Sequence, residues 1–152
     1  MPSLPVDLVV VALGTPLLVG VYENGQLVEK IESDKKTSDA LPKIFQDILR
    51  RYEIERIFFA RGPGSFMSIK LVYIFLQTLK IARGFKLYGC EGFEFTQGGP
   101  IKAVGNLYFV KENDAIVTKP VKNVQTKLDL PQSLEELRCD EKTSPLYVIP
   151  AV

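Results

Sequence analysis

A mixed β-sheet carrying crossover helices is the fold class this chain predicts, and three observations predict it. Apolar runs joined by tight turns open the sequence, a helical periodicity follows in the forties, and a glycine-rich turn then joins an apolar run to a long helix-forming stretch. Val6 to Leu13 is rich in Val and Leu, and Gly14-Thr15-Pro16 turns it into Leu17 to Tyr22. Glu23-Asn24-Gly25-Gln26 holds the Asn-Gly pair that type I′ hairpins favour, so Leu27 to Ile31 is a third antiparallel strand. After the polar stretch Glu32 to Lys36, Thr37 or Ser38 is placed to cap a helix. Its apolar residues Leu41, Ile44, Phe45, Ile48 and Leu49 recur at i, i+3, i+4, i+7 and i+8, so one face packs on the sheet. Pro42 is tolerated only in a first turn, which sets the start near Ser38.

Ile54 to Ala60 supplies a fourth strand, and Arg61-Gly62-Pro63-Gly64-Ser65-Phe66 turns it into a second helix from about Phe66 to Ala82. Gly62 and Gly64 tolerate positive φ, Pro63 fixes a turn between them, and the Ser65 hydroxyl suits the first free N–H of the helix. Such a loop offers backbone donors at a positive helix end, where an anion or a partner loop docks, or it is simply a tight connection. It is not a Walker A motif, because no Gly-Lys-Ser/Thr follows, and it lacks the third glycine of a dinucleotide fingerprint. Lys86 to Cys90 is a last strand, giving the order β-β-β-α-β-α-β. Beyond Glu91 periodic segments shorten: Gln97 to Pro100 is a turn, Leu107 to Val110 pairs with Ala115 to Thr118 through Asn113-Asp114, and Leu134 to Leu137 is a short helical piece.

Composition bounds the chemistry. The 152 residues suit one domain of ordinary size, and 46% hydrophobic residues suffice for a sizeable core. Nineteen basic and eighteen acidic residues leave a formal charge of +1, so no global field draws in nucleic acid or an anionic membrane. The apolar run Leu71 to Leu76 falls far short of the ~20 residues that span a bilayer. Cys90 and Cys139 lie too far apart for a C-x-x-C pair, and nothing resembles a secretory signal, so free cytoplasmic thiols are expected. The chain contains no histidine, which excludes Ser-His and Cys-His nucleophile pairs, His-containing zinc sites and an imidazole base. No close carboxylate pair with apolar flanks marks a raised pKa.

The second helix is unusual in having Phe66, Met67, Ile69, Leu71, Val72, Tyr73, Ile74, Phe75, Leu76 and Leu79 on all its sides. A helix on a monomer's surface is apolar along one stripe. Each large apolar side chain left exposed forfeits about 1.5 to 3 kcal/mol. Either a partner covers the outer face or the C-terminal residues do.

Gly62-Pro63-Gly64-Ser65-Phe66, the helix after it and the strand Lys86 to Glu91 resemble the Gly-Pro-Gly-Ser-Phe-Thr segment of the TsaB family. Ser38-Asp39-Ala40-Leu41-Pro42 is similar to that family's His-Ser-Glu-x-Leu-Leu-Pro helix start, and Pro145-Leu146-Tyr147 to its Pro-x-Tyr. The resemblance covers residues 6 to 95. It implies an actin-like, ribonuclease-H-like (ASKHA-type) α/β fold, with residues 1–95 as the core and 96–152 as a shortened C-terminal subdomain or tail.

It further implies a non-catalytic subunit that binds and supports a TsaD-type enzyme in threonylcarbamoyladenosine modification of tRNA. A TsaE-type ATPase then joins the larger complex, tRNA contact is indirect, and the isolated chain pairs with itself. The residues implied for the partner are Ser38, Leu41, Ile44, Phe45 and Ile48 of the first helix, Arg61, Gly62, Pro63, Gly64 and Ser65 of the loop, and Phe66, Ile69, Lys70, Tyr73 and Gln77 of the second helix, divided between core and interface. Departures from the family are Ser68, Val72 and Thr78 at its small positions, Lys70 for its Arg and Gln77 for its Lys. No cofactor or metal is expected.

A nucleotide-dependent ATPase or phosphotransferase of the same superfamily is the alternative. Relatives of that kind place an Asp at the end of strand one, whereas Val11-Ala12-Leu13-Gly14-Thr15 has no carboxylate to orient a magnesium-bound water. Asp7 is the displaced candidate, read here as a solvated strand end. A glycoprotease is a further alternative, without His or a credible base to serve it.

Overall fold

The structure, a computed structural model, describes residues 4–124 and 127–148. Residues 1–3, 125–126 and 149–152 of the two expected regions lie outside the described residues.

Strand β1 (Leu4–Val11) sits at the centre of a six-stranded sheet because its apolar residues pack on both faces. It pairs antiparallel with β2 (Leu17–Glu23), which pairs antiparallel with β3 (Gln26–Ser33). The β2–β3 turn has Asn24 at φ 52° and Gly25 at φ 79°, the two left-handed residues that a type I′ turn requires. On its other side β1 pairs parallel with β4 (Tyr52–Gly62), which pairs parallel with β5 (Lys86–Glu91). The sheet order is β3-β2-β1-β4-β5-β9, where β9 is the pair Cys139–Asp140, antiparallel to β5.

Helices α1 (Thr37–Arg51) and α2 (Phe66–Arg83) both cover one face. Val6, Leu8 and Val10 of β1 meet Leu41, Phe45 and Ile48 of α1 and Val72 and Leu76 of α2 there, and the Phe45 ring meets that of Phe75 edge-on at 5.1 Å. The opposite face, with Val9, Val11, Leu18 and Tyr22, is covered by later residues. Phe93 and Phe95 of a 3-10 turn, Ile101, Phe109 and Leu130 complete that second core. Ile101 and Phe109 belong to a small antiparallel sheet of β6 (Ile101–Lys102), β7 (Leu107–Glu112) and β8 (Ala115–Pro120), whose last two strands form the hairpin read from the sequence. Residues 127–137 then cross back to the first hairpin. The Tyr22 hydroxyl donates to the Pro131 carbonyl at 2.6 Å, Leu27 N–H to Gln132 at 2.9 Å, and Leu134 N–H to Gly25 at 2.9 Å. The expected helical piece is a 3-10 turn, Leu134–Glu136, closed by a Ser133/Glu136 capping box.

Three local expectations are corrected. The residue before α1 is Lys36, without a side-chain cap; Thr37 is buried and its hydroxyl donates to Ser68 Oγ of α2 at 3.3 Å, so packing between helices claims the group that would have capped one. Asp7 is not a solvated strand end. It is 7% exposed and accepts two hydrogen bonds from Arg56, at 2.6 and 3.1 Å, because parallel pairing sets the two residues opposite each other. The Asp7 carboxylate holds the Arg56 guanidinium's pKa above its ordinary value. Nor are the cysteines free thiols. Cys90 and Cys139 are register partners across β5 and β9, their Cα atoms 4.4 Å apart, and they form a disulfide. A test for C-x-x-C spacing is blind to a pair that strand pairing brings together across 49 positions.

Candidate partner interface

The glycine loop is a tight connection seated on the end of β1. Ser65 N–H donates to the Leu13 carbonyl at 2.8 Å, so the donor nearest the helix start is occupied within the chain. A side chain at Gly64 would stand 2.6 Å from that same carbonyl and 2.9 Å from Leu13 Cβ, so only glycine lets loop and hairpin approach this closely. Gly62 has φ 134°, and its open side faces the Leu146 carbonyl. Ser65 then caps α2, its Oγ accepting from Ser68 N–H at 3.4 Å, and Gly84 closes the helix in the left-handed conformation.

From this start α2 presents three faces. Ile69, Val72 and Leu76 point into the core and are buried. Met67, Ile74 and Ile81, two turns apart from one another, point away from it and are 67%, 50% and 88% exposed. The flank between, holding Phe66, Lys70, Tyr73 and Gln77, is partly covered by residues 139–148. Tyr147 meets the Phe66 ring edge-on at 5.3 Å, and Gln77 Nε2 donates to Thr143 Oγ1 at 3.2 Å. Beside them Arg61 Nε donates to the Ser144 carbonyl at 2.7 Å, and the Arg61 carbonyl accepts from Leu146 N–H at 2.9 Å. Of the two candidate covers of this helix, the C-terminal residues take the flank, and the Met67–Ile74–Ile81 stripe stays open.

The sequence-derived residues divide accordingly. Leu41, Phe45, Ile48 and Ile69 are core, and Ile44 is partly buried against it. Gly62, Pro63 and Gly64 are buried in the loop, whereas Ser65, Phe66 and Lys70 are exposed. Ser38 is exposed on the first turn of α1, one residue from the Thr37–Ser68 contact. Tyr73 packs against the core with part of its surface open. Sequence reasoning missed Met67, Ile74 and Ile81 as the open stripe. The seven-residue spacing of those three puts them on one stripe, but nothing in the sequence says that this stripe is the one facing out.

A cavity of about 510 Å³ lies beside the loop, between the first hairpin and the small sheet. Thr15, Ser65, Lys102 and Lys127 contribute its polar lining and Leu13, Ile101, Tyr108 and Leu128 its apolar lining. No carboxylate is among the described residues that line it. Among the described residues no group of three or more metal-ligating side chains is present, and no helix is long and apolar enough to cross a membrane.

No family model and no curated protein sequence matches this chain. Solved structures do match. YeaZ from Pseudomonas aeruginosa superposes with a TM-score of 0.60 at 14% identity, over 91% of this chain and 68% of that one. An uncharacterised protein described as similar to peptidase YEAZ from Pseudomonas aeruginosa gives a TM-score of 0.56, also at 14% identity, over 84% of this chain and 65% of that one. The likeness is one of fold. It agrees with the sheet order and helix placement above: this is a mixed α/β, ribonuclease-H-like fold.

Proposed function

We propose that this chain is a non-catalytic subunit that binds a TsaD-type enzyme and supports threonylcarbamoyladenosine modification of tRNA in the cytoplasm. The observation that carries the reading is the open apolar stripe Met67–Ile74–Ile81 on α2, the helix that follows the TsaB-like loop. Three large apolar side chains in line on one helix forgo several kcal/mol that burial would contribute, and an apolar helix face of similar shape on a partner is the economical cover. The likeness to YeaZ, a TsaB protein, supports the same assignment at the level of fold.

Catalysis finds little support in the residues. Leu13 stands where a catalytic relative has a carboxylate, both cysteines are bonded to each other, and histidine is absent from the sequence. The cavity beside Thr15 and Ser65 favours, as a second reading, a site for a phosphate-bearing ligand; its lysines and hydroxyls suit an anion, but its described lining offers no carboxylate to help hold magnesium. Titration calorimetry with ATP tests that reading, and turnover lost on Thr15→Ala would turn the proposal towards it.

The partner reading is tested by mixing the chain with a TsaD-type protein and following co-elution and threonylcarbamoyladenosine formation. Met67→Glu or Ile74→Glu is expected to weaken association more than a hundredfold, since an unpaired carboxylate buried in an interface costs several kcal/mol. The same changes leave the thermal unfolding of the chain alone within about 0.5 kcal/mol, because the side chains are solvated there. Full binding by every such folded variant would place the partner surface elsewhere.

A further inference from the structure

We infer that residues 139–148 form a redox-latched strap, which covers the Phe66–Gln77 flank of α2 while Cys90 and Cys139 are joined and releases it when they are reduced. The inference rests on reading α2 as the partner face, and it deepens that reading by giving the face a closed state.

The strap is held covalently at one end and lightly along its length. β9 pairs with only Gly89 and Cys90 of β5. Past it, the Lys142 carbonyl lies over Gly89, where a side chain could not fit. Thr143, Ser144, Leu146 and Tyr147 then make the contacts to Gln77, Arg61 and Phe66 described above. None of residues 141–148 is buried. Apart from Val148, which is partly buried against the second core, these contacts are at least partly open to solvent and individually weak, set against the freedom that an extended segment regains on leaving the surface. The disulfide is the one tie that neither water nor a local fluctuation breaks, so it decides whether the strap stays closed.

The latch is also reachable. Cys90 is 2% exposed at the end of β5, whereas Cys139 is only partly buried on the edge strand. A thiolate of a dithiol reductant attacks the Cys139 sulfur, the S–S bond breaks, and Cys90 leaves as a thiolate that takes up a proton. The reductant's second thiol loses its proton and attacks the mixed disulfide, releasing Cys139. Two electrons have then passed to the protein and the reductant has become a disulfide. Once the cross-strand bond is gone, β9 retains only its two-residue pairing.

What the strap uncovers fits the assignment. Phe66, Arg61 and Gln77 flank the open stripe of Met67, Ile74 and Ile81, so release widens one continuous surface. While closed, the strap occupies part of the area a partner helix needs.

The full chain, oxidised or reduced with dithiothreitol, is exposed to brief trypsin treatment and to hydrogen exchange, with non-reducing mass spectrometry to verify the bond. Reduction, or Cys139→Ser, is expected to speed cleavage after Lys142 at least about tenfold and to remove protection at the Leu146 amide, with cooperative thermal unfolding retained. Equal cleavage in both states overturns the latch, as does loss of cooperative unfolding on reduction, which would make the bond a staple of the whole fold. Should Cys139→Ser not fold, Tyr147→Ala in the oxidised chain serves instead, with cleavage rising several-fold while the disulfide stays intact; unchanged cleavage there counts against the strap being lightly held. With a TsaD-type protein, the reduced chain is expected to bind about tenfold more tightly than the oxidised one. Equal binding by both overturns the occlusion, whereas binding by neither, with the strap opening as expected, removes the function proposed above and supports the latch on its own.

Discussion

Two residues show how single atoms decide local outcomes here. Gly64 has no room for a methyl group, because the Leu13 backbone fills the space that a Cβ would occupy. Gly64→Ala is therefore expected to cost about 1 to 3 kcal/mol, read as a lower midpoint in thermal or urea unfolding, whereas the same change at Gly14, with nothing near, costs far less. Tyr22 is fully buried, and its hydroxyl pKa is pushed up by burial, with Glu136 and Asp129 adding to the effect. The folded state thus holds the phenol proton more tightly than the unfolded state does. The stability this contributes is whole below about pH 10, where the unfolded phenol titrates, and fades above it as the unfolded chain gives up its proton. Tyr22→Phe is expected to flatten that alkaline loss in a series of unfolding curves against pH, while costing about 1 kcal/mol near neutrality through the lost bond to Pro131.

At the scale of elements, α2 carries two opposite sets of apolar residues, and substitution separates them. Val72→Ala or Ile69→Ala empties a buried position and is expected to destabilise by about 1 to 4 kcal/mol. The chain alone is expected to pair with itself through this stripe, and changing Met67, Ile74 and Ile81 to Gln together is expected to leave the unfolding midpoint nearly unmoved while making the chain monomeric, as measured by light scattering of both forms over a concentration series. Much of this was legible beforehand. The i, i+4, i+7 spacing of Leu41, Phe45 and Ile48 identifies the buried stripe of α1, Asn24-Gly25 gives the hairpin, and the glycine loop gives the strand-to-helix step. The open stripe of α2 was not legible, because a helix apolar on every side has no pattern to say which side the core takes; that is settled by the crossover that fixes the helix against the sheet.

At the scale of the whole molecule, two cores share one sheet, and the sequence favours the first. The helical face is built from elements adjacent in the chain, whose periodicity is visible. The opposite face is closed by residues 127–137, which lack regular periodicity and owe their place to backbone groups meeting Gly25, Leu27 and Phe95. Leu130, buried against Gly20, is the apolar anchor of that closure. Leu130→Ala is expected to cost about 2 to 4 kcal/mol, with hydrogen exchange rising first across residues 127–137 and only later in β1. The disulfide escaped for the same reason: it joins a periodic strand to a fragment two residues long.

The bond from Tyr22 to Pro131 joins residues 109 positions apart, and it bears on how this chain is born. The ribosome delivers the hairpin, both helices and the five long strands well before Leu130 emerges. At the ~5 to 20 residues per second of synthesis, a sheet that forms as it emerges leaves part of the face over Val9, Val11 and Leu18 open for several seconds, until Leu130 joins Phe93, Phe95, Ile101 and Phe109 there. In that interval the nascent chain exposes an apolar surface that the finished one buries, and a chaperone near the exit tunnel meets a different molecule from the one the cell keeps.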